Sequence, residues 1–451
     1  MLLLAIALGA VVPFTLWLRG GNAVDKRIWT LIGLLPFLQP AFPQLDLAFI
    51  SWGTGWPGLV TGLEVTALDV VCVGIYLGLA YPRVRSGYGP ILALYLVAVG
   101  LSTLQAAEPT AATFYLFQIC RVGLLLVIVA RAASDATVSA RLIDGIALGV
   151  LLECAVTIWQ RFGLGVVQTA GTFPHQNTLG MVLHFAIFPQ VALLLAGHRN
   201  WTTIVVPLAG VAVVVLTASR AALLFTCLGL VLIYTLSILR HLTVRKSVLG
   251  ICGCLLVLAM APAAIDSFAK RFEQAPINEE EYDERAAFSR AARYILADNP
   301  LGIGANHYVH VAKNYGYSEK AGVVNDTGNR NNLVHNAYLL TASETGWLGL
   351  IALVLVLAHP LVVAVRAGWS VWPGMPADML CGLSVGLLMV CLHSSLEYIL
   401  LSRECEYLFA ISAGLIYGMA SQVRSRSGVA PAATAEPAGA GLVDTAPAAA
   451  R

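Results

Sequence analysis

A histidine and a small set of arginines stand where an otherwise apolar chain turns polar. His335 lies in Arg330-Asn331-Asn332-Leu333-Val334-His335-Asn336-Ala337-Tyr338, directly before an apolar run. Imidazole exchanges a proton near neutral pH, so His335 is suited to act as a general base. Arg220 sits in Thr217-Ala218-Ser219-Arg220, a turn of about four residues between two apolar stretches. A charge at such a membrane edge is costly and points to function, although snorkelling to headgroup phosphates is the plainer alternative. Arg285, Arg290 and Arg293 share the segment Tyr282–Leu296. Its apolar positions 287, 288, 291, 292, 295 and 296 predict an amphipathic helix of about three turns, ended by Pro300 with Gly302 and Gly304. A planar guanidinium clamps a phosphate well, and a solvated, acid-paired helix face is the competing reading for these three.

Other residues form a second tier. His175 lies in Gly171-Thr172-Phe173-Pro174-His175-Gln176-Asn177, where a turn-forming role competes with ligand contact. Arg161 is one of the few bases on its side of the chain. Arg121 falls in the middle of an apolar stretch, which requires a buried partner or a lining role toward an anionic group. His393 and Glu397 are one helical turn apart, and a buried hydrogen-bonded pair is the simplest expectation for them. Asn332 and Asn336 could cap the helix that follows His335, and His335 itself could be only a structural hydrogen-bonder.

The elements that must position these groups are membrane spans. The chain is 58% hydrophobic and 12% charged, with a net charge of +2. A spanning helix needs about 20 mostly apolar residues. Thirteen stretches qualify, some short or broken by Pro: 1–18, 28–44, 57–80, 89–106, 113–130, 142–160, 178–197, 201–216, 221–239, 248–265, 338–365, 378–400 and 405–420. The expectation is an all-α integral membrane protein of twelve or thirteen spans. The first stretch lacks a basic n-region and an A-x-A-like cleavage site, and reads as a retained helix. Residues 266–334 form a polar island with ten acids and eight bases. Bases cluster in alternate loops, at Arg19, Lys26 and Arg27, Arg83 and Arg85, Arg131 and Arg141, Arg199, Arg240, Arg245 and Lys246, Arg366, and Arg424 and Arg426. The positive-inside rule then puts those loops in the cytoplasm and the island outside, with His335, Arg220 and the 171–177 segment on one face. The nine cysteines lie in or beside apolar stretches and read as small buried hydrophobes. No phosphate-binding GxxxxGK[ST] loop and no paired-acid site for a metal-held sugar nucleotide occur, so an activated substrate must supply the energy of any bond made outside. Residues 422–451, rich in Ala and Pro, read as a disordered cytoplasmic tail behind a transmembrane domain of 1–421.

Taken together, these segments resemble the O-antigen ligase and polymerase superfamily of bacterial membrane proteins. Gly171–Asn177 resembles its GTF…N segment, and Ser219-Arg220-Ala221-Ala222 its SR turn. Arg285 through Asp298-Asn299-Pro300-Leu301-Gly302-Ile303-Gly304-Ala305-Asn306 is similar to its R…NPLG-G-N segment. His335-Asn336-Ala337-Tyr338-Leu339-Leu340, with Glu344-Thr345-Gly346-Trp347-Leu348-Gly349-Leu350, is similar to its HN-YL…E-G…GL signature. The set is in order and spans roughly 165–365. Ser289 departs from it, standing where the family often has an aromatic, with Phe288 adjacent.

The resemblance implies a glycan carried on undecaprenyl pyrophosphate at the outer face of the inner membrane. It implies transfer to a hydroxyl of lipid A–core by a ligase, or to a second lipid-linked glycan by a polymerase, without ATP, metal or cofactor. In that frame His335 is the base, Arg220 and Arg285 hold the pyrophosphate, and Arg121, Arg161, His175, Asn177, Arg290 and Asn336 are candidates for binding. The partners are the donor, the acceptor and membrane lipids, not nucleic acid. A lipid or solute transporter is the reading from another class. Arg121, His393 and Glu397 within the apolar stretches are what favour it.

Overall fold

The computed structural model describes residues 2–19, 27–42, 46–78, 83–274, 279–326, 328–369 and 374–426. The apolar stretches fold as helices: α1 (Leu2–Arg19), α2 (Ile28–Leu38), α3 (Ala67–Gly78), α4 (Tyr88–Ser102), α5 (Pro109–Ala132) and α6 (Ala136–Ile158). They continue as α7 (Gln176–Val182) and α8 (His184–Ala196), α9 (Trp201–Thr217), α10 (Arg220–Arg240) and α11 (Val244–Gln274). The polar island contributes α12 (Glu279–Asp298), α13 (Tyr308–Asn314) and α14 (Tyr317–Lys320). The chain closes with α15 (Ala337–Trp369), α16 (Met375–His393) and α17 (Arg403–Arg426). Eight helical stretches among the described residues are long and apolar enough to cross a membrane, and three shorter apolar helices accompany them. The protein is an all-α integral membrane protein.

Each of the thirteen expected stretches contains helix. The stretch 57–80 is the clearest correction. Residues 46–66 form an antiparallel hairpin, β1 (Asp46–Ser51) with β2 (Gly62–Thr66), and α3 begins only at Ala67. The predicted three-turn helix around Arg285 is also longer, 20 residues, and starts at Glu279. The final helix runs through Arg426, past the expected start of the tail at 422, and 427–451 lie outside the described residues. Cys72, Cys381 and Cys405 are buried as expected, but Cys120, Cys227, Cys252 and Cys254 are exposed on helix surfaces.

Helices pack closely where small residues let backbones meet, the usual device in lipid where apolar burial alone does not drive association. Gly33 of α2 faces the backbone of Leu142 and Gly145 of α6. Gly382 and Gly386 of α16 face Phe188–Pro189 and His184 of α8 in the same way. Helix α11 is the exception: none of its apolar window is buried.

The island is docked onto the bundle by its own sequence signals. Helix α12 buries Ala287, Phe288, Ala291, Ala292 and Ile295, the predicted apolar stripe, and packs on α15. Residues 299–308 then plug into a break in α15 at Gly346 (φ 69°, ψ −171°), a backbone state that favours glycine. The Glu344 carboxylate accepts the N–H groups of Asn306 (2.8 Å) and Tyr308 (2.9 Å), and its carbonyl accepts those of Ile303 (3.1 Å) and Gly304 (2.9 Å). Asn306 in turn holds the hairpin, donating from Nδ2 to Val60 O (2.7 Å) and accepting from Val60 N–H (3.1 Å). The E-G and NPLGIGAN motifs thus fix the island in place, which fixes Arg285 relative to His335.

Candidate active site

Three segments bring polar side chains to one carboxylate. Asn336 ends the island and caps α15, its Oδ1 accepting the Leu339 N–H at 2.9 Å while its Nδ2 donates to Ser395 O at 2.9 Å. Ala337 N–H also bonds Ser394 O at 2.9 Å. The start of α15 is thereby clamped to the turn after α16, and His335 meets Glu397. His335 Nδ1 lies 2.8 Å from Glu397 Oε2. The other carboxylate oxygen accepts from Asn177 Nδ2 at 2.8 Å and lies 3.6 Å from a guanidinium nitrogen of Arg285.

The exposures are graded as a site requires. The Glu397 side chain is 4% exposed, that of His335 26% and that of Arg285 39%. Burial opposes the negative charge on Glu397, yet the His335 hydrogen bond, with Arg285 and His393 nearby, holds its carboxyl below the ordinary carboxylate range. A carboxylate accepts only, so Nδ1 of His335 carries the hydrogen and Nε2 is the nitrogen left for proton exchange. The Tyr398 ring centroid, 5.7 Å from that of His335, walls one side.

Arg220 belongs to the same end of the bundle. Helix α9 ends at Thr217, Ala218 takes a left-handed turn (φ 50°), and Ser219 caps α10, whose first residue is Arg220. Helix α7 crosses here: Gly180 lies against Ala222 and Ser219, one turn below Asn177. The loop ahead of α7 is held by α6, with Glu153 accepting the N–H (2.9 Å) and hydroxyl (2.6 Å) of Thr172 and Gln160 accepting the Gly171 N–H (2.9 Å). His175 is exposed and its Nδ1 caps α7, accepting the Asn177 N–H at 3.2 Å. His175 thus sets the direction of Asn177.

The remaining candidates are placed elsewhere. Arg161 bonds Asp266 (3.2 Å) and Val167 O (3.3 Å), tying α6 to α11. Arg290 grips the Ala321 carbonyl with two nitrogens (3.1 and 2.9 Å), fixing α12 to the segment after α14. Arg121 is buried between α3, α5 and α17, bonded to Asp69 (2.5 Å) and Tyr407 (3.0 Å). Asp69 also accepts from the N–H and hydroxyl of Thr66, while Arg121 Nε is buried with no acceptor among the described residues. The expected His393–Glu397 pair is not formed. Helix α16 stops at His393, Ser394 and Ser395 turn the chain, and Glu397 swings to His335. His393 instead bonds His184 at 3.2 Å. The role of Glu397 escaped the sequence because its partners lie 62, 112 and 220 positions away.

The class defined by fold and site is a multi-pass membrane protein with a histidine–carboxylate–arginine cluster at one end of its helices. Residues 204–354 match the family model described as O-antigen ligase. The matched stretch includes Arg220, Arg285 and His335 and excludes Asn177 and Glu397. No curated protein matches the chain. That match supports a membrane protein of the O-antigen ligase and polymerase type, a family that implies lipid-linked glycan substrates.

Proposed function

We propose that the protein transfers a glycan from undecaprenyl pyrophosphate to a hydroxyl of lipid A–core, at the periplasmic face of the bacterial inner membrane. The observation that carries this reading is the convergence of His335, Arg285 and Asn177 on the buried Glu397. Glu397 holds the Nδ1–H tautomer of His335 and stabilises the imidazolium that forms when Nε2 takes the acceptor proton. The acceptor oxygen then forms its bond to the anomeric carbon as the bond from that carbon to the phosphate oxygen breaks. The lipid pyrophosphate leaves with the electron pair. Arg220 and Arg285 offset the charge that develops on it, a task electrostatics performs best in a poorly solvated site. Transfer then needs neither ATP nor a divalent metal.

The orientation follows from the loop charges: the 240–246 turn, with three bases, lies at the end of α10 opposite Arg220. The same site would serve a polymerase, with a second lipid-linked glycan as acceptor. Against the transport reading, Arg121 is held by Asp69 and Tyr407, and Glu397 is held by His335 and Asn177.

The test is transfer in proteoliposomes containing undecaprenyl-pyrophosphate glycan and lipid A–core, with chelator and without ATP. Glycan on lipid A–core, lost in Arg220→Ala and Arg285→Ala, supports the ligase. Extension of the glycan on its own carrier would reassign the chain as a polymerase. Activity dependent on added metal or ATP would contradict the mechanism.

A further inference from the structure

The opposite ends of the same helices hold a second polar concentration, which the transfer reaction does not use. Helix α10, 21 residues long, begins at Arg220 and ends at Arg240, about 30 Å away. The turn that follows reads Arg240-His241-Leu242-Thr243-Val244-Arg245-Lys246. It closes a cavity of about 300 Å³ with the end of α8 and the start of α16, lined by Arg240, His241, Arg245, Lys246, Asp378 and Cys381 among others.

The cations are held in place chiefly by backbone carbonyls. Lys246 Nζ donates to the carbonyls of Ser237 (2.6 Å) and His241 (2.7 Å), and Arg245 donates to that of Leu195 (2.6 Å). Arg240 bonds the Gly368 carbonyl and stacks 5.2 Å over the Trp369 ring. Asp378 supplies one negative charge, 3.7 Å from Arg240 and 3.5 Å from His198. Two arginines and a lysine against one carboxylate give a formal +2 before the histidines are counted. Arg245 Nε is buried with no acceptor among the described residues.

An apolar groove of about 230 Å³ adjoins this cavity between α10, α15 and α16, lined by Leu236, Leu361, Val365 and Val385 and sharing Arg240 and Cys381 with the polar part. A cationic chamber that opens on an apolar trough is the complement of an amphiphile with an anionic head and an acyl tail. We infer that this is a binding site for an anionic phospholipid, its phosphate among Arg240, Arg245 and Lys246 and an acyl chain along α15. A free phosphate would satisfy the chamber and leave the groove empty. A zwitterionic lipid would fill the groove without answering the net positive charge.

The test uses the full-length protein, delipidated in detergent, with lipid binding read by native mass spectrometry and stability by thermal melting. The probes are dioleoylphosphatidylglycerol, dioleoylphosphatidylcholine and inorganic phosphate. His241→Glu adds a negative charge to the chamber at an exposed position and removes none of the carbonyl contacts of the cations. Val365→Trp fills the groove from a position that is 49% exposed. The expected result is retention of, and stabilisation by, phosphatidylglycerol alone, with affinity lowered about tenfold in His241→Glu and reduced in Val365→Trp. Equal binding of phosphatidylcholine would overturn the assignment of the chamber. Equal stabilisation by inorganic phosphate would overturn that of the groove. Wild-type binding by both variants would overturn the site altogether, and either variant alone suffices should the other fail to fold.

Discussion

Two clusters in this protein are built from the same ingredients and end differently. One joins Asp69, Arg121, Tyr407 and Thr66 among α3, α5 and α17; the other joins Glu397, His335, Arg285 and Asn177 at the end of the bundle. In the first, the carboxylate and guanidinium are 10% and 7% exposed, and the groups turn their bonds on one another. In the second only the carboxylate is buried, while His335 and Arg285 are partly exposed. Presence of a buried charge does not distinguish a site from a structural knot. What distinguishes them is whether the groups around it reach a surface where a substrate can meet them.

Substitutions sharpen the contrast. The largest effect expected is at His335, where His335→Ala should lower transfer by about 10³-fold, within the usual range for general acid–base catalysis, with little change in melting temperature. A comparable loss of folding with activity would move His335 to the structural side. Glu397→Gln keeps the shape but removes the charge and one acceptor oxygen, and should cost on the order of 10²-fold in turnover. Glu397→Asp should recover part of it, whereas a purely structural Glu397 would show no such rescue.

The closed cluster should behave in the opposite way. Arg121→Ala leaves Asp69 buried and unpaired, which should destabilise by about 3–5 kcal/mol, read as loss of folded protein in detergent. Asn336→Ala removes a helix cap and should cost about 1 kcal/mol in thermal denaturation, since its amide is spent on α15 and Ser395. The smallest effect is one of pH. His307 donates from Nδ1 to Ala305 O (2.7 Å) and accepts the Glu108 N–H at Nε2 (3.0 Å), and burial holds it below its ordinary value of 6.5. The unfolded chain takes up a proton there before the folded one does. Its stabilising contribution is therefore complete above about pH 6.5 and declines as pH falls toward the folded value. Melting at pH 7.5 and 5.5 should show this decline, and His307→Asn should reduce it.

Much of this was legible in the sequence, and for physical reasons. Apolar length marked the helices outside the polar island, the period of residues 287–296 marked the buried face of α12, and the polar edge singled out His335, Arg220 and Arg285, whereas the short helices α13 and α14 gave no such signal. The hairpin at 46–66 was hidden because its apolar residues extend the composition of α3 without a break. Arg121 was read as needing a partner, but Asp69 is 52 positions earlier and on another helix. Glu397 was misread for a related reason. Spacing within one helix suggested His393, whereas two serines end that helix and deliver the carboxylate to His335.

The most direct test sets the two clusters against each other in one transfer assay. Asp69→Leu with Arg121→Met replaces the closed ion pair by apolar side chains of similar size, a change that buried pairs often tolerate. The account predicts that this double variant still transfers glycan while Glu397→Gln and His335→Ala, equally well folded, do not. Transfer by the Glu397 and His335 variants at the wild-type rate, with a folded but inactive double variant, would place the chemistry at the other cluster and contradict it.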